Sequence, residues 1–276
     1  MNEQEDILTP GESFPAGIAV PSRAELLREL ASFGVDSAGA IRLVDSTRGA
    51  EDIRLNYIIG KQWVLRYCNQ GNMTERRMAA LNRLIGRYRA AGILCPAFCP
   101  DAAGNYLHSH GPLQCYLSEY IDLRLADEAE GIDIDRLLFQ VQASVASFAE
   151  ANRDVDLSET MGMYSLFDLS PFDIPVGYDE KQDNFHQLIE LLRRERKDEL
   201  AARLEARHDL IRQKLRAVYR SLPRCVFQAD ENFSNVLIDE SGNFAGFIDF
   251  NLAGTEVIVN QLALYYICHH FHQANE

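Results

Sequence analysis

The stretch Cys225–Phe250, CVFQADENFSNVLIDESGNFAGFIDF, constrains the fold more than any other part of this chain. Its three apolar runs, Cys225–Phe227, Val236–Ile238 and Phe244–Ile248, are too short for helices and rich in β-branched or aromatic residues, so they predict strands. Ser241-Gly242-Asn243 separates the last two and predicts a hairpin turn. Asp230 leaves the first strand, Asn235 stands at the entry of the second, and Asp249 follows the third. Three oxygen-bearing side chains are thus delivered to the ends of one hairpin. Such donors suit Mg²⁺, which keeps several waters and needs few protein ligands. A carboxylate placed beside an acceptor hydroxyl suits phosphoryl transfer. The local alternative for Asp230 and Asn235 is turn chemistry, with Asx side chains bonding their own backbone.

Upstream of this stretch the pattern changes twice. Ser22 followed by Glu25 is a capping box, and it predicts a short helix over Arg23–Phe33. Ile53–Ile59 and Gln62–Cys68 flank Gly60-Lys61 and predict a hairpin. Thr74 caps a predicted helix that runs to about Ala91, where Gly92 and Pro96 end it. Gln114–Ile121 predicts another buried strand. From Ile134 the apolar residues Leu137, Leu138, Val141, Val145 and Phe148 recur at helical spacing. A loop with Pro171 and Pro175 follows, then a charged helical segment, Asp183–Leu222, broken at least once. Its RRERK run, Arg193–Lys197, reads as a solvated helix face. A small β-rich part therefore precedes a mostly helical part with a short β insert.

Composition narrows the function. The 276 residues are enough for one large domain or two lobes. A net charge of −14 disfavours nucleic acid or an anionic membrane as partner. Residues 101–180 carry sixteen acids against three arginines, either a solvated surface or a field that attracts a cationic substrate. The six cysteines have no C-x-x-C spacing and read as buried free thiols of a reducing, cytoplasmic compartment. The acidic N-terminus lacks the apolar core of a signal peptide, and no 18-residue apolar run exists to span a membrane. Cys268-His269-His270-Phe271-His272 reads as a helix tail rather than a metal site. His108 and His110 read as surface residues, and Trp63 as a packed strand residue. No G-x-S-x-G supports a serine nucleophile.

The D-x-x-x-x-N spacing of Asp230 and Asn235, the apolar triplet after it and the Ile248-Asp249-Phe250 segment resemble the catalytic and metal-binding loops of the aminoglycoside phosphotransferase and choline kinase family. The resemblance covers about residues 40–262. It implies an α+β, bilobal protein-kinase-like fold: a tail over 1–21, a β-rich nucleotide-binding N-lobe over 22–120, and a helical C-lobe over 121–276 that is short at its C-terminus. It implies Asp230 as catalytic carboxylate and Asn235 with Asp249 as Mg²⁺ ligands. Where the family commonly has His-Gly before the aspartate, this chain has Gln228-Ala229. Trp63-Val64-Leu65-Arg66 resembles the strand that presents a cation to the nucleotide phosphates, with Arg66 in place of a common lysine. Glu75 is then the candidate ion-pair partner of Arg66, or alternatively a first-turn acid stabilised by the helix dipole. Leu117–Ile121 resembles the hinge, where backbone groups at Glu119 and Ile121 hold adenine. Between Asp45 and Asn56 only Gly49 represents the phosphate-binding glycine loop. The resemblance implies a phosphotransferase that uses ATP or GTP with Mg²⁺ and acts on a hydroxyl of a small molecule. The rival expectation is a catalytically silent nucleotide-binding scaffold of the same fold. A third is an interaction module built on the charged Asp183–Leu222 helices.

Overall fold

The computed structural model describes residues 14–15, 17–36, 39–71, 73–153, 155 and 180–261. Their helices are α1 (Arg23–Ser32), α2 (Glu75–Ala90), α3 (Ile134–Ala151), α4 (Glu180–Arg194) and α5 (Asp198–Val218). Their strands are β1 (Ile41–Asp45), β2 (Arg54–Ile59), β3 (Trp63–Cys68), β4 (Phe98–Cys99), β5 (His108–His110), β6 (Leu113–Glu119), β7 (Arg124–Leu125), β8 (Arg224–Phe227), β9 (Val236–Ile238), β10 (Phe244–Phe247) and β11 (Gly254–Val257). The chain forms two compact units: residues 1–137 with 232–248, and residues 138–231 with 249–276.

The first unit is organised by an antiparallel sheet of order β1-β2-β3-β6-β4, with β5 pairing the start of β6 along the same edge as β4. Gly60 and Lys61 both take positive φ (53° and 55°) in a turn closed by Gln62 N–H to Ile59 O at 3.0 Å, and the pairing of Ile59 with Trp63 makes the hairpin connection three residues, 60–62. The register aligns Leu55, Tyr67 and Cys115 in one row and Asn56, Arg66 and Tyr116 in the next. Strand alternation sends these rows to opposite faces. Leu55, Tyr57, Leu65, Tyr67, Cys115 and Leu117 join Leu26 and Leu30 of α1 in one core, each large apolar side chain worth about 1.5–3 kcal/mol.

Local signals set the ends of α1 and α2. Ser22 and Glu25 form the reciprocal capping box, and the Thr74 hydroxyl accepts the Arg77 N–H. After α1, the Val35 and Gly34 amides return to the Leu30 and Ala31 carbonyls. After α2, Ile93 and Gly92 do the same to Tyr88 and Arg89. In both cases the glycine supplies the left-handed residue of a Schellman motif. Strand β1 was not anticipated, because its pairing to β2 is set across a loop rather than by a turn dipeptide. His108 also differs from expectation: it is half-buried and stacked on Phe33, with ring centroids 4.4 Å apart.

A second sheet in this unit has the order β10-β9-β7. The hairpin turn is closed by Asp239 N–H to Asn243 O at 2.9 Å, while the Asp239 carboxylate accepts from the Ser241 and Asn243 amides. The segment after α2 docks on β10: Leu94 N–H donates to Ala245 O, and Phe247 N–H donates to Leu94 O. A Cβ at Gly246 would stand 1.9 Å from the Leu94 carbonyl oxygen. Only glycine permits that approach.

In the second unit β8 pairs with β11, a strand the sequence reading did not separate from the helix after it. Val141, Val145 and Phe148 of α3 are buried, as their spacing predicts. The charged segment breaks once, between α4 and α5. The RRERK run is exposed as expected, but only Arg193 and Arg194 continue α4, and the rest makes that break instead of a continuous helix face. Arg196 takes φ 55° and the Lys197 N–H donates to Leu192 O, so the run contains a Schellman turn without glycine. Pro171, Pro175 and the Cys268–His272 cluster lie outside the described residues. Among the described residues no helix is long and apolar enough to cross a membrane. All five described cysteines are free thiols, four of them buried.

Candidate active site

In the second unit β8 ends at Phe227, and the chain turns sharply into Asp230. Gln228 is fully buried, and its carboxamide supports two neighbouring stretches of backbone. Its Nε2 donates to the Asp249 carbonyl at 2.6 Å, and its Oε1 accepts the Asp230 N–H at 2.7 Å. Gln228 therefore stands where the family commonly has histidine and still holds both aspartate-bearing segments. Ala229 has φ 69° and Asp249 has φ 54°. Left-handed backbone at a non-glycine residue costs on the order of 1–2 kcal/mol. Strain of this kind persists where the surroundings over-determine it, and here buried Gln228 is the restraint.

In the first unit Asn235 closes a short 3₁₀ turn, Phe233–Asn235, just before β9. Its own N–H donates to Asn232 O at 2.7 Å, and its carbonyl accepts the Ile248 N–H at 2.9 Å. The two ends of the β9–β10 hairpin are thereby tied together, and peptide continuity places Asp249 immediately after the tied residue. The side chains so delivered are a carboxamide and a carboxylate. Carboxamide and carboxylate oxygens are donors of the kind that suit a hard divalent ion such as Mg²⁺ rather than a softer one.

Arg66 lies on the face of the sheet away from α1. Its Nε donates to Asn56 Oδ1 at 2.6 Å, Nη1 donates to the Tyr116 hydroxyl at 3.2 Å, and the guanidinium lies over the Tyr116 ring. Those partners are its direct cross-strand neighbours. Glu75 corrects an expectation. Instead of pairing with Arg66, its two carboxylate oxygens accept the Tyr106 and Leu107 amides at 2.9 and 2.8 Å. As the first residue of α2, it reaches the loop before β5 and is engaged there.

At the hinge-like segment, Glu119 fastens β6 to the strand beside it. Its N–H donates to Ala97 O, and its carboxylate accepts from Ala97 N–H and pairs with Arg89 at 2.7 Å. The Ile121 carbonyl accepts the Leu123 N–H. The loop between β1 and β2 closes on itself through Arg48–Asp52 and Asp52–Gly49 backbone bonds, with Gly49 at φ 141°.

Sequence reasoning missed Glu231, next to Asp230. It is buried, and among the described residues neither of its carboxylate oxygens meets a donor at hydrogen-bond geometry. Burial first, then the Asp230 charge, pushes its pKa up to about 8, with Gln261 opposing the shift in part. Nothing in the mostly polar run Gln228–Asn235 set it apart in the sequence.

The phosphotransferase enzyme family matches residues 48–271 of this chain. A search of curated proteins finds no match. Among solved structures, an amicoumacin kinase in complex with AMP-PNP, Ca²⁺ and Ami is 14% identical, with a TM-score of 0.54, covering 88% of this chain and 67% of that one. A microcompartment-associated aminopropanol kinase is 16% identical, with a TM-score of 0.53, covering 85% and 71%. At these identities the likeness speaks for the fold, which is the α+β, protein-kinase-like one. The match over most of its length places the chain in the phosphotransferase enzyme family.

Proposed function

We propose that this protein is an ATP- and Mg²⁺-dependent kinase of a small molecule, transferring the γ-phosphoryl group to a hydroxyl. The observation that carries the reading is the Gln228 carboxamide, which keeps the Asp230 and Asp249 segments in strained, fixed conformations despite the loss of the usual histidine. A loop serving only as a turn has no use for that strain. Asp230 orients the acceptor hydroxyl and takes its proton as the new O–P bond forms and the bond to the β-phosphate breaks, releasing ADP. Asn235 and Asp249 are the residues that would hold Mg²⁺, which would neutralise charge on the phosphates. Arg66, preoriented by Asn56 and Tyr116, offers a permanent cation to the phosphate chain. The Glu119 carbonyl and the Ile121 N–H are the proposed adenine contacts. The solved neighbour with AMP-PNP and Ca²⁺ supports a nucleotide and a divalent ion. The acidic 101–180 stretch favours a cationic acceptor.

The silent-scaffold reading draws support from one observation: Glu75 is engaged with the Tyr106 and Leu107 amides, leaving the usual acid–cation pair unmade. Product analysis separates the two. Purified protein incubated with Mg·ATP and a panel of hydroxylated amines and sugars is expected to yield an acceptor heavier by one phosphoryl group. Asp230→Asn should abolish the product while keeping thermal stabilisation by Mg·ATP. Stabilisation without product for any acceptor would favour the scaffold.

A further inference from the structure

A second cluster of ligand-type side chains lies in the first unit, on the α1 face of the sheet, which is the face opposite to Arg66. Cys115 on β6 is fully buried and stands directly across from Tyr67 on β3 and from His108 on β5. Directly opposed residues share a face, so thiol, phenol and imidazole converge there. Glu29 of α1 completes the group by contacting His108 Nδ1. The donor atoms of Glu29, His108 and Cys115 all lie within 4.8 Å of one another, a spread that an ion with bonds of about 2.0–2.3 Å can draw together.

Two further features point to a ligand. His108 Nε2 faces the Asp101 carboxylate at 3.2 Å. The Asp101 carboxylate is itself anchored by the Ala103 and Asn105 backbone amides and the Asn105 side chain. This is the outer carboxylate that fixes a metal-bound histidine, leaving the Nδ1 lone pair toward Glu29. The Tyr67 hydroxyl is fully buried and, among the described residues, meets no donor or acceptor at ordinary hydrogen-bond geometry, with the Cys115 thiol directly across the strand pair from it. Ser32 Oγ, 3.3 Å from Nδ1, is the remaining polar neighbour.

We propose that Glu29, His108 and Cys115 form a binding site for a borderline divalent transition ion of the Zn²⁺ class, separate from the phosphotransfer residues. The donor set of one carboxylate, one imidazole and one thiolate selects such an ion over Mg²⁺. Charge also balances: a divalent cation meets one carboxylate and one thiolate, so the buried site becomes neutral. Binding expels the Cys115 thiol proton. The site ties α1 to β5 and β6, which makes its role structural.

Cobalt titration of the full chain, stripped by chelation, tests this. The expected result is one Co²⁺ per chain with a thiolate-to-cobalt charge-transfer absorption, proton release on binding, and a rise in melting temperature with Zn²⁺. Cys115→Ser should remove the absorption, Glu29→Gln should weaken binding at least tenfold, and Asp101→Asn should weaken it about 10–100-fold. No such absorption in wild type, or one undiminished in Cys115→Ser, overturns the site. Should Cys115→Ser fail to fold, the wild-type spectrum and Glu29→Gln decide. Failure here leaves the kinase reading untouched, since its Asn235 and Asp249 donors carry no sulfur.

Discussion

The β9–β10 hairpin of the first unit and the Gln228–Asp230 loop of the second deliver comparable oxygen-bearing side chains by opposite means. The hairpin relies on backbone: the Ile248–Asn235 bond, the Asp239–Asn243 turn closure and the two bonds between Leu94 and β10 share the load. The loop relies on one buried carboxamide that supports two peptide groups across two left-handed residues. A distributed backbone ladder tolerates most side-chain changes and fails where a Cβ cannot fit. A loop held by one side chain fails when that side chain is lost.

The sharpest way to break the hairpin is Gly246→Ala. Its Cβ would meet a carbonyl oxygen at 1.9 Å, so β10 or the Leu94 segment must move. Loss of more than about 3 kcal/mol is expected in denaturant unfolding. Gln228→Ala is next. It leaves the Asp230 N–H and the Asp249 carbonyl without their partner, at about 2–4 kcal/mol for the pair, and turnover should fall with stability. A hairpin substitution such as Ser241→Ala, by contrast, should stay within about 0.5 kcal/mol.

The third test is pH. Because the folded pKa of Glu231 is raised to about 8 from its ordinary value of 4.5, the native state keeps a proton that the unfolded state has released. Stability contributed by this group is therefore full below about pH 4.5 and is lost as pH rises to about 8, at no more than about 1.4 kcal/mol per pH unit. Glu231→Gln should flatten that slope in urea titrations between pH 5 and 8. The smallest effect belongs to Ala229→Gly. At φ 69° glycine relieves strain at some entropic cost, for a net gain of up to about 1 kcal/mol. A destabilised Ala229→Gly would show that the left-handed conformation is not strained.

How much of this was legible beforehand depended on the range of the forces involved. The Ser22 and Thr74 caps, the Gly60-Lys61 and Ser241–Asn243 turns, and the strand runs around Asp230 and Asn235 are written in adjacent residues, and the structure has each of them. The Arg193–Lys197 break was not legible, because Arg196 occupies a position that glycine usually marks. Glu75 and Arg66 are both identifiable as charges. Which partners they take depends on the register of β2, β3 and β6 and on where the 105–107 loop falls, and neither is local. Gln228 looked like a loss until the backbone at Ala229 and Asp249 showed what its carboxamide reaches. His108 became a half-buried partner of Glu29 only through a pairing between β5 and β6 that no spacing rule predicts.

The most direct measurement is acceptor phosphorylation by wild type and by Asp249→Ala, read by mass spectrometry under saturating Mg·ATP. The account predicts a phosphorylated product from the wild type and turnover reduced to background in Asp249→Ala. Equal product from both proteins would contradict it.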